Sequence, residues 1–117
     1  MRIAVRGRNT AVTDTLRGHV EERFTTRIGK QVSDLAELDV ELLVEKNPAI
    51  AEDKVAEATL RLKGVTLRAR ESSSDLEHSV DLVADKLAHQ VKRHRDKRRG
   101  RRDSAGIKGP PQPAEPA

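Results

Sequence analysis

The sequence predicts an α+β fold in the order β-α-β-β-β-α, a four-stranded sheet with two helices packed on one face. Three observations predict it. Four segments alternate apolar and polar residues, near 2–8, 38–45, 56–62 and 65–70. Two longer segments, near 13–28 and 76–98, carry apolar residues every three or four positions, the stripe of an amphipathic helix. The chain has 117 residues, 35% of them apolar, with Phe24 as its single aromatic. That length and content suit one two-layer core of Leu, Val, Ile and Ala.

In the first strand Ile3 and Val5 point one way and Arg2, Ala4, Arg6 and Arg8 the other. Gly7 near its end implies a bulge or a close backbone approach. Thr13 is the N-cap of the first helix, with Asp14 in its first turn to suit the helix dipole. Leu16, Val20, Phe24 and Ile28 form its buried stripe, and Gly29 is its stop. Leu38, Val40, Leu42 and Val44 alternate with Asp39, Glu41, Leu43 and Glu45 as the second strand. Residues 46–53, punctuated by Asn-Pro, are a loop. Ala56, Ala58, Leu60 and Leu62 make the third strand, and Lys63-Gly64 turns it into the fourth. There Val65, Leu67 and Ala69 point inward, with Thr66, Arg68 and Arg70 outward. Ser72 to Asp75 form a loop and cap. The second helix buries Leu76, Val80, Val83, Ala84, Leu87 and Val91 and runs to about Arg98, its last turns rich in Lys and Arg. Residues 1–99 form the domain. Residues 100–117 are expected to be a disordered tail or linker, basic at first and then Gly/Pro-rich.

Charge divides the chain unevenly. Residues 1–85 hold 13 Lys and Arg against 16 Asp and Glu, a net of −3; residues 86–117 hold 10 against 3, a net of +7. A slightly acidic body presenting one basic helical end points to a polyanion, with structured RNA foremost. Without cysteine there is no disulfide, thiolate zinc site or cysteine nucleophile. No apolar run approaches membrane-spanning length and the N-terminus lacks a signal-peptide core, so cytoplasmic residence is expected and no membrane partner. His19, His78, His89 and His94 lack metal-ligand spacing, and there is no G-x-S-x-G and no Gly-rich phosphate loop. Neither an enzyme nor a cofactor is expected.

Two segments carry a resemblance. VRGRNTAVTDTLRGHVEERF at 5–24 and DLEHSVDLVADKLAHQVKRHRDK at 75–97 are similar to the opening and closing motifs of the ribosome hibernation-promoting factor and protein Y family, also called ribosome-associated inhibitor or sigma-54 modulation proteins. In the second segment Asp75, Asp81, Asp85, Lys86, Leu87, Gln90, His94 and Lys97 match the pattern. Glu77 stands where the family has an aromatic residue, and His89 where it has Arg. The resemblance implies the N-terminal domain of that family, with a double-stranded-RNA-binding-like fold. It implies binding to small-subunit ribosomal RNA in the decoding channel, competition with mRNA and tRNA, and preservation of idle ribosomes. It implies a monomer, with dimerisation only where a further C-terminal domain exists. The chain is then either a short member or the first half of a long one.

On the second helix, His78, Asp85, Lys86, His89, Lys92, Arg93 and Asp96 fall on the outer surface, with Gln90 flanking. Pairs such as Asp81 with Lys86 and Asp96 with Lys92 would make this an ordinary solvated face. That reading fails beyond Val91, where cations exceed any pairing need. There excess Lys and Arg gain from counterion release on phosphates. The candidate RNA contacts are Lys86, His89, Gln90, Lys92, Arg93, Arg95, Lys97 and Arg98, joined by Arg6 and Arg8 at the end of the first strand. Arg23 and Arg27 of the first helix are candidates for RNA and equally for a mixed-charge solvent face. Arg2, Arg6, Arg68 and Arg70 are expected opposite Glu41, Glu45 and Glu57 on the sheet's open face, where cross-strand ion pairing accounts for most of them. Leu82 falls on the outer face without an explanation. With one aromatic residue, on a core stripe, the protein is expected to read backbone and shape rather than unstacked bases. The rival readings are a generic structured-RNA-binding module without a ribosome role, and an interaction domain whose basic end meets an acidic protein or membrane surface.

Overall fold

The computed structural model describes residues 1–47 and 49–103, with side chains to Lys97. The elements are β1 (Arg2–Arg8), α1 (Asp14–Ile28), β2 (Glu37–Val44), β3 (Lys54–Leu62), β4 (Val65–Ser73) and α2 (Leu76–Asp103), the order expected. They form one four-stranded sheet in the order β1-β2-β3-β4. β1 runs parallel to β2, and the other two pairings are antiparallel. The parallel step is possible because α1 serves as the crossover.

Register puts Ile3, Leu38, Leu60 and Leu67 in one row and Val5, Val40, Ala58 and Ala69 in the next. These rows face the helices. Leu16, Val20, Phe24 and Ile28 of α1 and Val80, Val83, Ala84, Leu87 and Val91 of α2 join them in a single buried cluster. Burying Phe24 completely removes the only aromatic ring from the surface.

Local chemistry sets the boundaries. Thr13 Oγ1 accepts from Leu16 N–H at 3.1 Å, the expected cap. Gly29 ends α1 differently from expectation. Its φ of −57° is helical, not left-handed, and what demands glycine is a close approach. A Cβ there would lie 2.5 Å from the Thr25 carbonyl oxygen. Gly64 has φ 84°, the left-handed value that a type II turn places at its second central residue. The strand β4 extends to Ser73, because Ser72 and Ser73 still pair with Val55 and Lys54 where a loop was expected. Asp75 then caps α2, its Oδ2 accepting from His78 N–H at 3.1 Å. The helix continues to Asp103 rather than ending near Arg98, and so takes in residues 100–103, assigned above to the tail. The tail expected from residue 104 onward and the Arg98 side chain lie outside the described residues.

Two buried features were not expected. Leu43 and Val55 face each other across β2 and β3 on the side of the sheet away from the helices, and both are buried. Ser79 is 0% exposed on α2's inner surface. Its Oγ donates to the Lys54 carbonyl at 2.7 Å and lies 2.7 Å from Ser73 Oγ, so its polarity is satisfied inside the core. Leu82, without an explanation above, is half-buried.

Candidate nucleic-acid interface

α2 carries the basic block, and its two flanks meet different neighbours. On the α1 side stand its acids. Asp81 Oδ1 lies 2.9 Å from His19 Nε2 and accepts from Arg23 Nε at 2.8 Å, and Asp85 accepts from Arg27 Nε at 2.9 Å. The acidic half of α2 is thus matched to cations of α1. Arg23 and Arg27, open above between RNA and a mixed-charge face, are engaged in helix-to-helix ion pairs. Asp81 pairs with α1 and not with Lys86.

The other flank faces β4. Lys86, Gln90, Arg93 and Lys97 recur at i, i+4, i+7 and i+11, a single line along a helix. Gln90 Nε2 donates to the Arg68 carbonyl at 2.7 Å. Lys86 Nζ reaches the Arg70 carbonyl at 3.4 Å and Glu71 at 3.3 Å. β4 is an edge strand, so these side chains donate to carbonyls that no neighbouring strand's N–H reaches. They also fix the azimuth of α2, which aims Arg93 and Lys97 along the same margin. An open groove of about 660 Å³ runs here between β4 and α2, with Val65 and Leu67 on its strand side and Lys86, His89, Gln90, Arg93, His94 and Lys97 on its helix side.

His89, Lys92, Arg93 and Lys97 are exposed and have no ion-pair partner among the described residues. The expected pair of Lys92 with Asp96 does not form. Arg95 departs from expectation too. It is half-buried beside a second hollow at the end of the sheet, where Val32, Leu62 and Val91 also line the wall, and its Nε is enclosed without a hydrogen-bond partner.

The sheet's open face carries a charge lattice. Its rows read Arg2-Glu37-Arg61-Thr66, Ala4-Asp39-Thr59-Arg68 and Arg6-Glu41-Glu57-Arg70. In these rows acids lie only on the middle strands, while the cations lie on the margins and, at Arg61, on β3. Arg61 binds Asp39, and Arg70 binds Glu57 and reaches Glu45 at 3.3 Å. Arg8 reaches Glu41 at 3.6 Å, which places it in the lattice rather than leaving the sheet. Of the residues expected to pair here, Arg70 does so, whereas Arg2, Arg6 and Arg68 have no ion-pair partner among the described residues.

The candidate residues with described side chains therefore fall in four places, one of them the hollow beside Arg95. Lys86, His89, Gln90, Arg93 and Lys97 border one groove, and Lys92 extends the same helix on its α1 side. Arg6 and Arg8 lie on the far edge of the sheet, and Arg23 and Arg27 between the helices. Val65, Leu67 and His94 were not among the candidates. The recurrence of 86, 90, 93 and 97 pointed to their neighbourhood, but only the packing of α2 on β4 reveals what that line faces. Among the described residues no His, Asp and Glu cluster could hold a metal ion, and no helix is long and apolar enough to cross a membrane.

Comparison with known proteins places this geometry. Residues 3–99 match the family model described as Sigma 54 modulation protein / S30EA ribosomal protein. A ribosome hibernation promotion factor of Picosynechococcus sp. is 32% identical over 102 residues, covering 87% of this chain and 53% of its own length. A ribosome hibernation promoting factor of Azotobacter vinelandii is 33% identical over 97 residues, covering 83% and 85%. The chain thus spans about half the length of the first of these relatives and most of the second. The crystal structure of the Thermus thermophilus protein Y N-terminal domain superposes with a TM-score of 0.67 at 29% identity, covering 80% of this chain and 99% of that one. A ribosomal subunit interface protein from Coxiella burnetii gives the same TM-score at 21% identity, covering 82% and 99%, and so shares the fold. The resemblance read from the two end motifs is borne out: this chain belongs to the sigma 54 modulation protein / S30EA ribosomal protein family, whose members here include ribosome hibernation factors.

Proposed function

We propose that this protein is a ribosome hibernation factor. It binds small-subunit ribosomal RNA in the decoding channel and occupies space that mRNA and tRNA need, so that idle ribosomes stay inactive and intact. The names of its relatives support a ribosomal role. The observation that carries the mode of action is the cationic flank of α2, held against β4 by Gln90 and Lys86 and free of the acids that α1 neutralises on the opposite flank. A helix of 28 residues spans about 42 Å. A rod of that length, with Arg93 and Lys97 along one line and without ion-pair partners among the described residues, suits the phosphates of folded RNA, where Arg can clamp two oxygens at once. No bond is made or broken, and inhibition is occupancy. The site of action is the cytoplasm, and this domain acts as a monomer.

The test is co-sedimentation with purified small subunits. Replacing Lys92, Arg93 and Lys97 with Ala should release the folded protein from the subunits. Unchanged co-sedimentation refutes the assigned face. A competition measurement addresses the mechanism. Bound protein should exclude tRNA and mRNA from empty subunits, and free admission of both would reduce the reading to a generic RNA-binding module. Pull-down of ribosomal material that survives ribonuclease treatment would instead favour a protein partner.

A further inference from the structure

We infer that the groove between β4 and α2 takes a single unstacked RNA nucleotide, its base against Leu67 and Val65 and its phosphate against Arg93 and Lys97. The inference rests on the RNA-binding reading above and narrows the class of RNA. Small-ligand sites occupy about 300–1,000 Å³, mostly apolar with a few placed polar groups. The groove, at about 660 Å³, has that size, and it sets two apolar side chains, Val65 and Leu67, among six polar or charged ones. Its floor exists because β4 is an edge strand. Val65 and Leu67 point to the helix side of the sheet, yet α2 covers them only in part and they stay half-buried. Apolar surface is thereby left open among cations, a combination that a duplex backbone alone does not use.

A nucleobase is apolar on its faces and polar on its edges, and its phosphate is anionic. Each property has a counterpart here. Leu67 and Val65 offer an apolar surface to a base face. A guanidinium plane can stack on a base as an aromatic side chain does. Arg93 lines the groove together with the imidazoles of His89 and His94, which can also stack on a base, while Phe24, the chain's one Phe, Tyr or Trp, is wholly buried. Gln90 donates its amide N–H to the Arg68 carbonyl, which fixes the side chain and leaves its Oε1 able to accept from an amino or imino group of the base. Lys86 is engaged with Glu71, so the phosphate falls to Arg93 and Lys97, which have no ion-pair partner among the described residues. A nucleotide site goes beyond the expectation that a chain without surface Phe, Tyr or Trp reads backbone and shape rather than unstacked bases. The protein reads shape along the helix and one extruded base beside it.

The experiment compares two RNA duplexes of about 16 base pairs, one plain and one with a single bulged nucleotide, each titrated into the full chain. The bulged duplex should bind at least about tenfold more tightly, the scale of one stacked base. Leu67→Ser should bring the two affinities to within about twofold while leaving the plain duplex unaffected. Because that variant could lose stability, wild-type amide shifts supply a second readout. Val65, Leu67 and Gln90 should respond to the bulged duplex and not to the plain one. Equal affinities, or a preference for the bulge without shifts at those residues, overturn the nucleotide site and leave the RNA reading standing. Binding of neither duplex overturns both.

Discussion

Gly7 shows how one missing side chain shapes the exit of β1. A Cβ there would lie 2.4 Å from the Thr10 carbonyl oxygen and 2.9 Å from Val12 Cγ2. The chain folds back over this strand end through Asn9, at φ 61°, a value Asn tolerates better than most residues. Gly7→Ala should therefore destabilise the fold by about 1–3 kcal/mol, read as a lower midpoint in denaturant. This position was legible in the sequence, since a glycine inside an alternating pattern signals backbone crowding. Ser79 was not legible. A serine in a helix gives no hint of burial, and its partner, the Lys54 carbonyl, lies on a strand far away in sequence. Ser79→Ala leaves that carbonyl short of a donor and should cost about 1–3 kcal/mol by the same measurement. Ser79→Val, larger and still without a donor, should cost no less.

At the level of elements, α2 joins two functions on opposite flanks. Its position, polarity and buried stripe followed from period and charge alone. The direction of each flank did not, because it depends on which neighbour α2 packs against. The acids at 81 and 85 could equally have paired within the helix. Instead they reach α1, and that contact removes Arg23 and Arg27 from the pool of free cations. Arg23→Ala should accordingly change RNA affinity by less than about twofold, whereas Arg93→Ala should lower it about tenfold or more; filter binding at fixed salt separates the two. Gln90→Ala should cost about 0.5–1.5 kcal/mol of stability, through loss of its bond to the edge of β4. Similar loss from Asp96→Ala would contradict the view that Gln90 is a tether, since Asp96 is exposed and unpaired among the described residues.

For the whole molecule, the division into an acidic body and a cationic end implies binding dominated by counterion release. If about six to ten phosphates are contacted, affinity for small subunits should fall about 10³–10⁵-fold between about 50 and 200 mM salt. Removing both Arg93 and Lys97 should flatten the slope of log K against log salt by about two units, about 0.9 for each lost contact. An unchanged slope would mean that these side chains touch no phosphate. The fold itself was readable because every strand alternates and every helix stripe closes on one core, so local and global signals agree. The open face was less readable. Arg2, Arg6, Arg8, Arg68 and Arg70 look alike in sequence, and register alone does not tell which of them pair: Arg6 sits opposite Glu41 without an ion-pair partner among the described residues, while Arg8, opposite Leu43, reaches Glu41. The two margins of the sheet are shielded by different means. Amide and ammonium groups from α2 stopper the bare carbonyls of β4, and guanidinium groups at 2, 6 and 8 line β1. A small β-protein with naked borders would stick to its own copies when crowded. In this one, the hand that holds the charge in place also shuts that door, so the protein can accumulate without zipping strand to strand along β4.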